Sequence, residues 1–84
     1  MQHLILTVKD TKIDAYLKPF YVHSEEHALR DMTTIANTPE HPIGKNVEDY
    51  SLYLIGTYED TTGKIISLDL PKHITNLLDL KKDK

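Results

Sequence analysis

The stretch "DYSLYLIGTYEDTTGKI", residues 49 to 65, constrains the fold of this chain more than any other. A β-strand repeats every two residues. On that period Leu52, Leu54, Gly56 and Tyr58 share one face, and Tyr53, Ile55 and Thr57 share the other. Both faces are largely apolar, whereas a strand with one wet face alternates apolar and polar residues. The strand, about Tyr50 to Glu59, therefore needs cover on both sides. "DTTG" follows, with Gly63 suited to the left-handed conformation that closes a hairpin by a type I turn and bulge. "KIISLDL", residues 64 to 70, is the answering strand.

The rest of the chain supplies candidates for that cover. "LILTVKD" (4–10) and "AYLKPFYV" (15–22) read as two strands joined by a "TKID" turn, and Pro19, which cannot donate to a ladder, favours an edge or a bulge. Ser24 fits a helix N-cap, with Glu25 and Glu26 at the positive end of the helix. Ala28, Met32, Ile35 and Ala36 follow at helical spacing with Leu29 beside them, as far as Asn37. "NTPEHPIGKNVED" (37–49) has no periodicity and reads as a long connection wrapping the domain. Pro71 suits a first helical turn, and Ile74, Leu77, Leu78 and Leu80 form an apolar stripe, which predicts a second helix before "KKDK". The expected fold is α+β: one domain spanning 1–84, with a four-stranded, mainly antiparallel sheet and two helices on one face, in the order ββαββα.

Size and charge limit the function. A chain of 84 residues buries only about 60–65% of its unfolded surface, so there is little room for a deep catalytic cleft. It has no cysteine, which excludes disulfides and thiolate metal sites and fits a reducing cytosol. No apolar run reaches the roughly 18 residues of a membrane span, and "MQHLILTVKD" lacks a basic segment followed by a long apolar one, so cytoplasm is the expected location and no membrane partner is expected. The net charge of −3 is uneven. Residues 1–22 carry three lysines against two aspartates (+1), residues 72–84 carry four lysines against two aspartates (+2), and the middle is therefore −6. Nucleic-acid affinity comes largely from Lys and Arg displacing counterions, so any such contact must use the ends of the chain.

"ALRDM", "EDYSLYLIGTYEDTTGKI" and "LPKHI" together resemble the small non-structural protein of gokushovirus-type microviruses, tailless bacteriophages with circular single-stranded DNA genomes. That family reads A-x-R in the helix, then D-Y-x-L-Y-x-I-G-x-[FY]-D-x-x-T-G-x-I, then a proline. The matching positions are Ala28, Arg30, Asp49, Tyr50, Leu52, Tyr53, Ile55, Gly56, Tyr58, Thr62, Gly63, Ile65 and Pro71, and "KPFYVHS" resembles the family's extended segment before the helix. The family's aspartate falls on Glu59, with Asp60 next. The resemblance implies a non-structural accessory role in the switch to single-stranded genome synthesis and packaging, and its members are often labelled DNA-binding.

Among candidate sites, Tyr16, Lys18 and Phe20 fall on one face of the second strand, the pattern of a sheet that stacks single-stranded bases, or else of aromatic core residues beside a solvated lysine. Phosphate contacts would fall to Lys9, Lys12, Lys18, Lys81, Lys82 and Lys84, with Tyr16 stacking. The second apolar face, carrying Tyr53 and Ile55 or else Leu52, Leu54 and Tyr58, predicts a homodimer interface. The competing cover is the 37–49 connection, through Ile43 and Val47. "HSEEH" (23–27) matches an inverted zinc-protease pattern, but Ser24 as N-cap leaves His23 outside the helix, so no metal site is expected. No phosphate loop, nucleophile elbow or paired carboxylates can be argued; the chain is expected not to be an enzyme and to need no cofactor. Two classes of function remain: contact with single-stranded DNA, or a protein-interaction module acting on the replication initiator, the scaffold or procapsid, or a host factor.

Overall fold

The computed structural model describes residues 1–82, so Lys84 of the candidate set lies outside the described residues. The architecture is α+β, an antiparallel sheet with two α-helices in an order close to ββαββα. Strand β1 (Gln2–Asp10) is followed by the short strands β2 (Ala15–Tyr16) and β3 (Phe20–Val22), then helix α1 (Glu25–Ala36) and the single-turn helix α2 (Pro42–Lys45). Strands β4 (Tyr50–Glu59) and β5 (Lys64–Asn76) complete the sheet, and two 3-10 turns, Val47–Asp49 and Leu77–Leu80, precede β4 and follow β5. The sheet order is β2-β1-β4-β5, with β3 continuing the β2 edge of β1.

Local chemistry accounts for most of these elements. The Ser24 hydroxyl accepts the His27 N–H at 3.1 Å, capping α1 as its sequence predicts, and Glu25 and Glu26 occupy the first turn. The β4–β5 hairpin pairs Glu59 with Lys64 and Tyr58 with Ile65, and Gly63 takes φ +74° while its N–H reaches the Glu59 carbonyl at 2.8 Å. The core lies between the sheet and the helices. Leu6, Val8 and Val22 of the strands and Leu52 of β4 meet Ala28, Met32 and Ala36 of α1.

Three expectations are corrected. The 37–49 connection is not a cover for the far side of the sheet. Ile43 and Val47 are buried in the same core as α1, because Pro42 starts a helical turn and the His41 ring nitrogen caps it from the Ile43 N–H at 3.1 Å. A helix from Pro71 does not form. Lys72, His73 and Thr75 pair with Leu54, Tyr53 and Leu52, so β5 runs on to Asn76 and only Leu77–Leu80 turns helically. Pro71 sits in the part of this edge strand, residues 68–71, that bulges opposite Ile55, where a missing N–H is harmless. Finally, Phe20 does not share a face with Tyr16. Tyr16 pairs with Lys9 but Phe20 pairs with Leu6, so the break at 17–19 inserts one residue and turns Phe20 toward the core.

Gly44 is fixed by close packing. A Cβ there would collide with the Thr38 carbonyl oxygen and lie 2.5 Å from that of Ile35, both backbone atoms at the end of α1. Gly44→Ala should therefore destabilise the fold by about 1–3 kcal/mol through overpacking, read as a lowered urea midpoint at unchanged slope. Gly63→Ala meets no atoms within 4 Å and pays only for its positive φ.

Candidate nucleic-acid interface

The face of the sheet turned away from α1 is paved with aromatic rings. On β1, Leu4, Leu6 and Val8 point to the core, which leaves His3, Ile5, Thr7 and Lys9 on the open side. On β4 the alternation is interrupted, since Leu6 pairs with Leu54 while Ile5 pairs with Gly56, which leaves Ile55 as an extra residue. Leu52 and Leu54 therefore face the core, and both Tyr53 and Tyr58 face the open side. A strict period of two places those tyrosines on opposite faces, and the bulge brings them together. Gly56 allows it: a Cβ there would lie 2.5 Å from the Ile66 carbonyl oxygen of β5.

Two clusters result. Near the β1–β2 end, Tyr53 meets Tyr16 edge-on at 5.6 Å between centroids and meets His73 edge-on at 5.3 Å. Near the hairpin end, Tyr21 and Tyr58 meet edge-on at 5.7 Å, His3 lies 5.9 Å from Tyr58, and His23 lies 4.9 Å from His3. His3, Tyr21 and Tyr58 line a shallow concavity of about 440 Å³. Between the clusters Ile5 and Thr7 are buried although no helix covers them. Ile5 stands beside Tyr21 in register and Thr7 beside Tyr53, and the Thr7 hydroxyl donates to the Leu17 carbonyl at 2.7 Å. The tyrosines thus serve partly as a lid on their own sheet, while Tyr16 and Tyr21 remain 45% and 53% exposed.

Carboxylates of the described residues reach the open face only from its rim, where Asp14 meets Lys9 and Asp60 meets His3. Among the described residues no carboxylate occupies an open-face position that pairs in register, whereas Glu25, Glu26 and Asp31 are exposed on α1. Lys9 stands on the open face with its ammonium 5.4 Å from the Tyr16 ring centroid and 2.9 Å from Asp14 Oδ1. The hydrogen bond to Asp14 holds its pKa above the usual lysine value. At the hairpin rim the Asp60 carboxylate accepts from the N-terminal ammonium and meets His3 Nε2 at 2.9 Å. These two contacts, the ammonium first, hold it below the usual carboxylate range.

The candidate residues do not form one patch. Lys9 and Tyr16 join the aromatic face, Lys18 is exposed in the break between β2 and β3, and Lys12 lies in the β1–β2 turn, 3.8 Å from Asp49. Lys81 and Lys82 belong to the opposite side: the Lys82 N–H donates to the Asn37 side chain at the end of α1 at 2.9 Å, and the Asn37 amide donates to the Leu80 carbonyl at 3.0 Å. Of the residues read as a dimer interface, Tyr53 is half-buried between Tyr16 and His73, and Ile55 is half-buried at the bulge. The sequence pattern does not mark Tyr21, His3, His23 and His73 as part of such a face. The isolated glycine inside the β4 pattern was the one signal of a bulge that could have found it. His27 lies 3.8 Å from Asp31 on α1 while the His23 ring lies tilted against His3, so the two histidines of "HSEEH" serve different faces.

A family model described as Phage ORF5 protein matches residues 3–80. The chain belongs to the Phage ORF5 protein family. It is a bacteriophage protein, and the matched span includes every residue of both aromatic clusters, from His3 to His73. No curated protein and no solved structure matches the chain.

Proposed function

We propose that this is a non-structural accessory protein of a microvirus of the gokushovirus type, which binds single-stranded DNA on its open sheet face in the host cytoplasm during genome synthesis and packaging. One observation carries the reading: four tyrosines and three histidines share a helix-free face that carries no paired-position carboxylate. A base stacked on an aromatic side chain is worth about 1–3 kcal/mol whatever its identity, and the phosphates need only a few cations beside the rings. Lys9 is on that face, and Lys12 and Lys18 flank it at the β2 edge.

With so few cations the contact is weak. Anisotropy of a labelled oligothymidylate should show micromolar or weaker affinity at low salt, with log affinity falling as log salt rises at a slope of about −0.7 per phosphate neutralised. No binding at low salt would remove the reading. The second reading, an interaction module for the replication initiator, the procapsid or a host factor, draws on the same tyrosines, since exposed tyrosines also anchor protein interfaces. A pull-down from infected cells that recovers a phage protein after nuclease treatment, with no oligonucleotide binding, would favour it.

A further inference from the structure

The two edges of the sheet are built differently. On the β2–β3 side the edge is two and three residues long, broken at 17–19 by Pro19 and flanked by exposed Lys18, which are devices that prevent strand addition. On the other side β5 is a 13-residue edge strand, and every residue from Asp60 to His73 is exposed. Its pairing to β4 is regular over Lys64–Ser67, and Ile65, Ile66 and Leu70 are 58%, 59% and 78% exposed. Over Lys64–Ser67, ahead of the bulge at 68–71 and Pro71, this edge is regular and exposes Ile65 and Ile66, and its unpaired backbone donors and acceptors have another strand as their natural partner.

We infer that β5 pairs antiparallel with β5 of a second copy across a two-fold axis at Ile66. Three observations select this occupant. The broken β2–β3 edge cannot receive β5 of another molecule, so head-to-tail addition is closed off and the self-complementary pairing remains. Side chains keep their faces across a two-fold axis normal to the sheet, so the axis must pass midway between one residue and its own copy. Placed at Ile66, it sets the two Ile66 side chains together and Leu68 of each copy along the Lys64 stem of the other. Among the described residues Lys64 is exposed and makes no ion pair within the chain, so its stem is free to lie along that leucine. The same axis keeps both aromatic faces on one side of a continuous sheet. The pairing itself is independent of any DNA contact.

The chain has no cysteine, so Ile66→Cys introduces a single reporter. Mild oxidation should convert I66C to a disulfide-linked dimer on a non-reducing gel, while Leu17→Cys at the opposite edge stays monomeric. Light scattering of the unmodified chain at high micromolar concentration should give twice the 9.7 kDa of one chain. The double variant Ile66→Lys with Leu68→Lys should give a twofold lower mass with an unchanged far-UV spectrum, since Ile66 is exposed and Leu68 is 38% exposed. A single-chain mass for the unmodified protein, a dimer that survives the double variant, or equal cross-linking of L17C would each overturn the inference.

Discussion

Replacing Tyr53 and Tyr58 together by alanine is expected to abolish oligonucleotide binding while leaving the protein folded. Each tyrosine anchors one cluster, Tyr53 between Tyr16 and His73 and Tyr58 between Tyr21 and His3, so the pair removes the centre of both stacking surfaces. At about 1–3 kcal/mol per stacked base, each single variant should weaken binding by roughly 5- to 150-fold, and an affinity that starts micromolar leaves no measurable binding in the double variant. Phenylalanine at both positions should retain most of the affinity, because stacking needs the ring and not the hydroxyl. Both tyrosines are half-buried and Tyr53 stands beside the buried Thr7, so the alanine variants should also lose some stability. Binding measured well below the unfolding transition separates the two effects. Alanine variants that bind as well as the unmodified chain would show that the face serves something other than bases.

The features legible in the sequence are those set by short-range chemistry. Ser24 with two glutamates behind it, the 28-32-36 spacing of α1 and the glycine that closes the β4–β5 hairpin each act within a few residues, and each appears where the pattern places it. The aromatic face was not legible because it depends on two one-residue insertions, one at 17–19 and one at Ile55. A single insertion reverses the face of everything beyond it. Tyr16 and Phe20 look like neighbours and are on opposite sides; Tyr53 and Tyr58 look opposed and are on the same side. The docking of the 37–49 connection is not legible for a different reason. Two buried aliphatic residues around a proline-started turn are too few to show a period, yet they are enough to dock α2 on the core.

Leu77→Ala is expected to be among the most destabilising substitutions in the chain, at about 2–5 kcal/mol, and Leu78→Ala to be nearly silent. The apolar set Ile74, Leu77, Leu78 and Leu80 has the i, i+3, i+4 spacing of a helical stripe, in which Leu77 and Leu78 would share the burial. The observed geometry separates them sharply. β5 continues to Asn76, whose side-chain oxygen accepts from the Ser51 hydroxyl at 2.8 Å, and the 3-10 turn that follows drives Leu77 into the core at 0% exposure while Leu78 is left 52% exposed. Leu77 packs in the same cluster as Leu52, Met32 and Ala36, between sheet and helix, where neighbouring backbone cannot collapse into the space a leucine leaves. For a domain whose whole stability is of order 5–15 kcal/mol, such a loss brings the chain close to unfolding at ordinary temperature. Urea melts of the two variants decide the matter: comparable losses at both positions would restore the helical stripe, and a loss confined to Leu77 requires the strand and 3-10 turn.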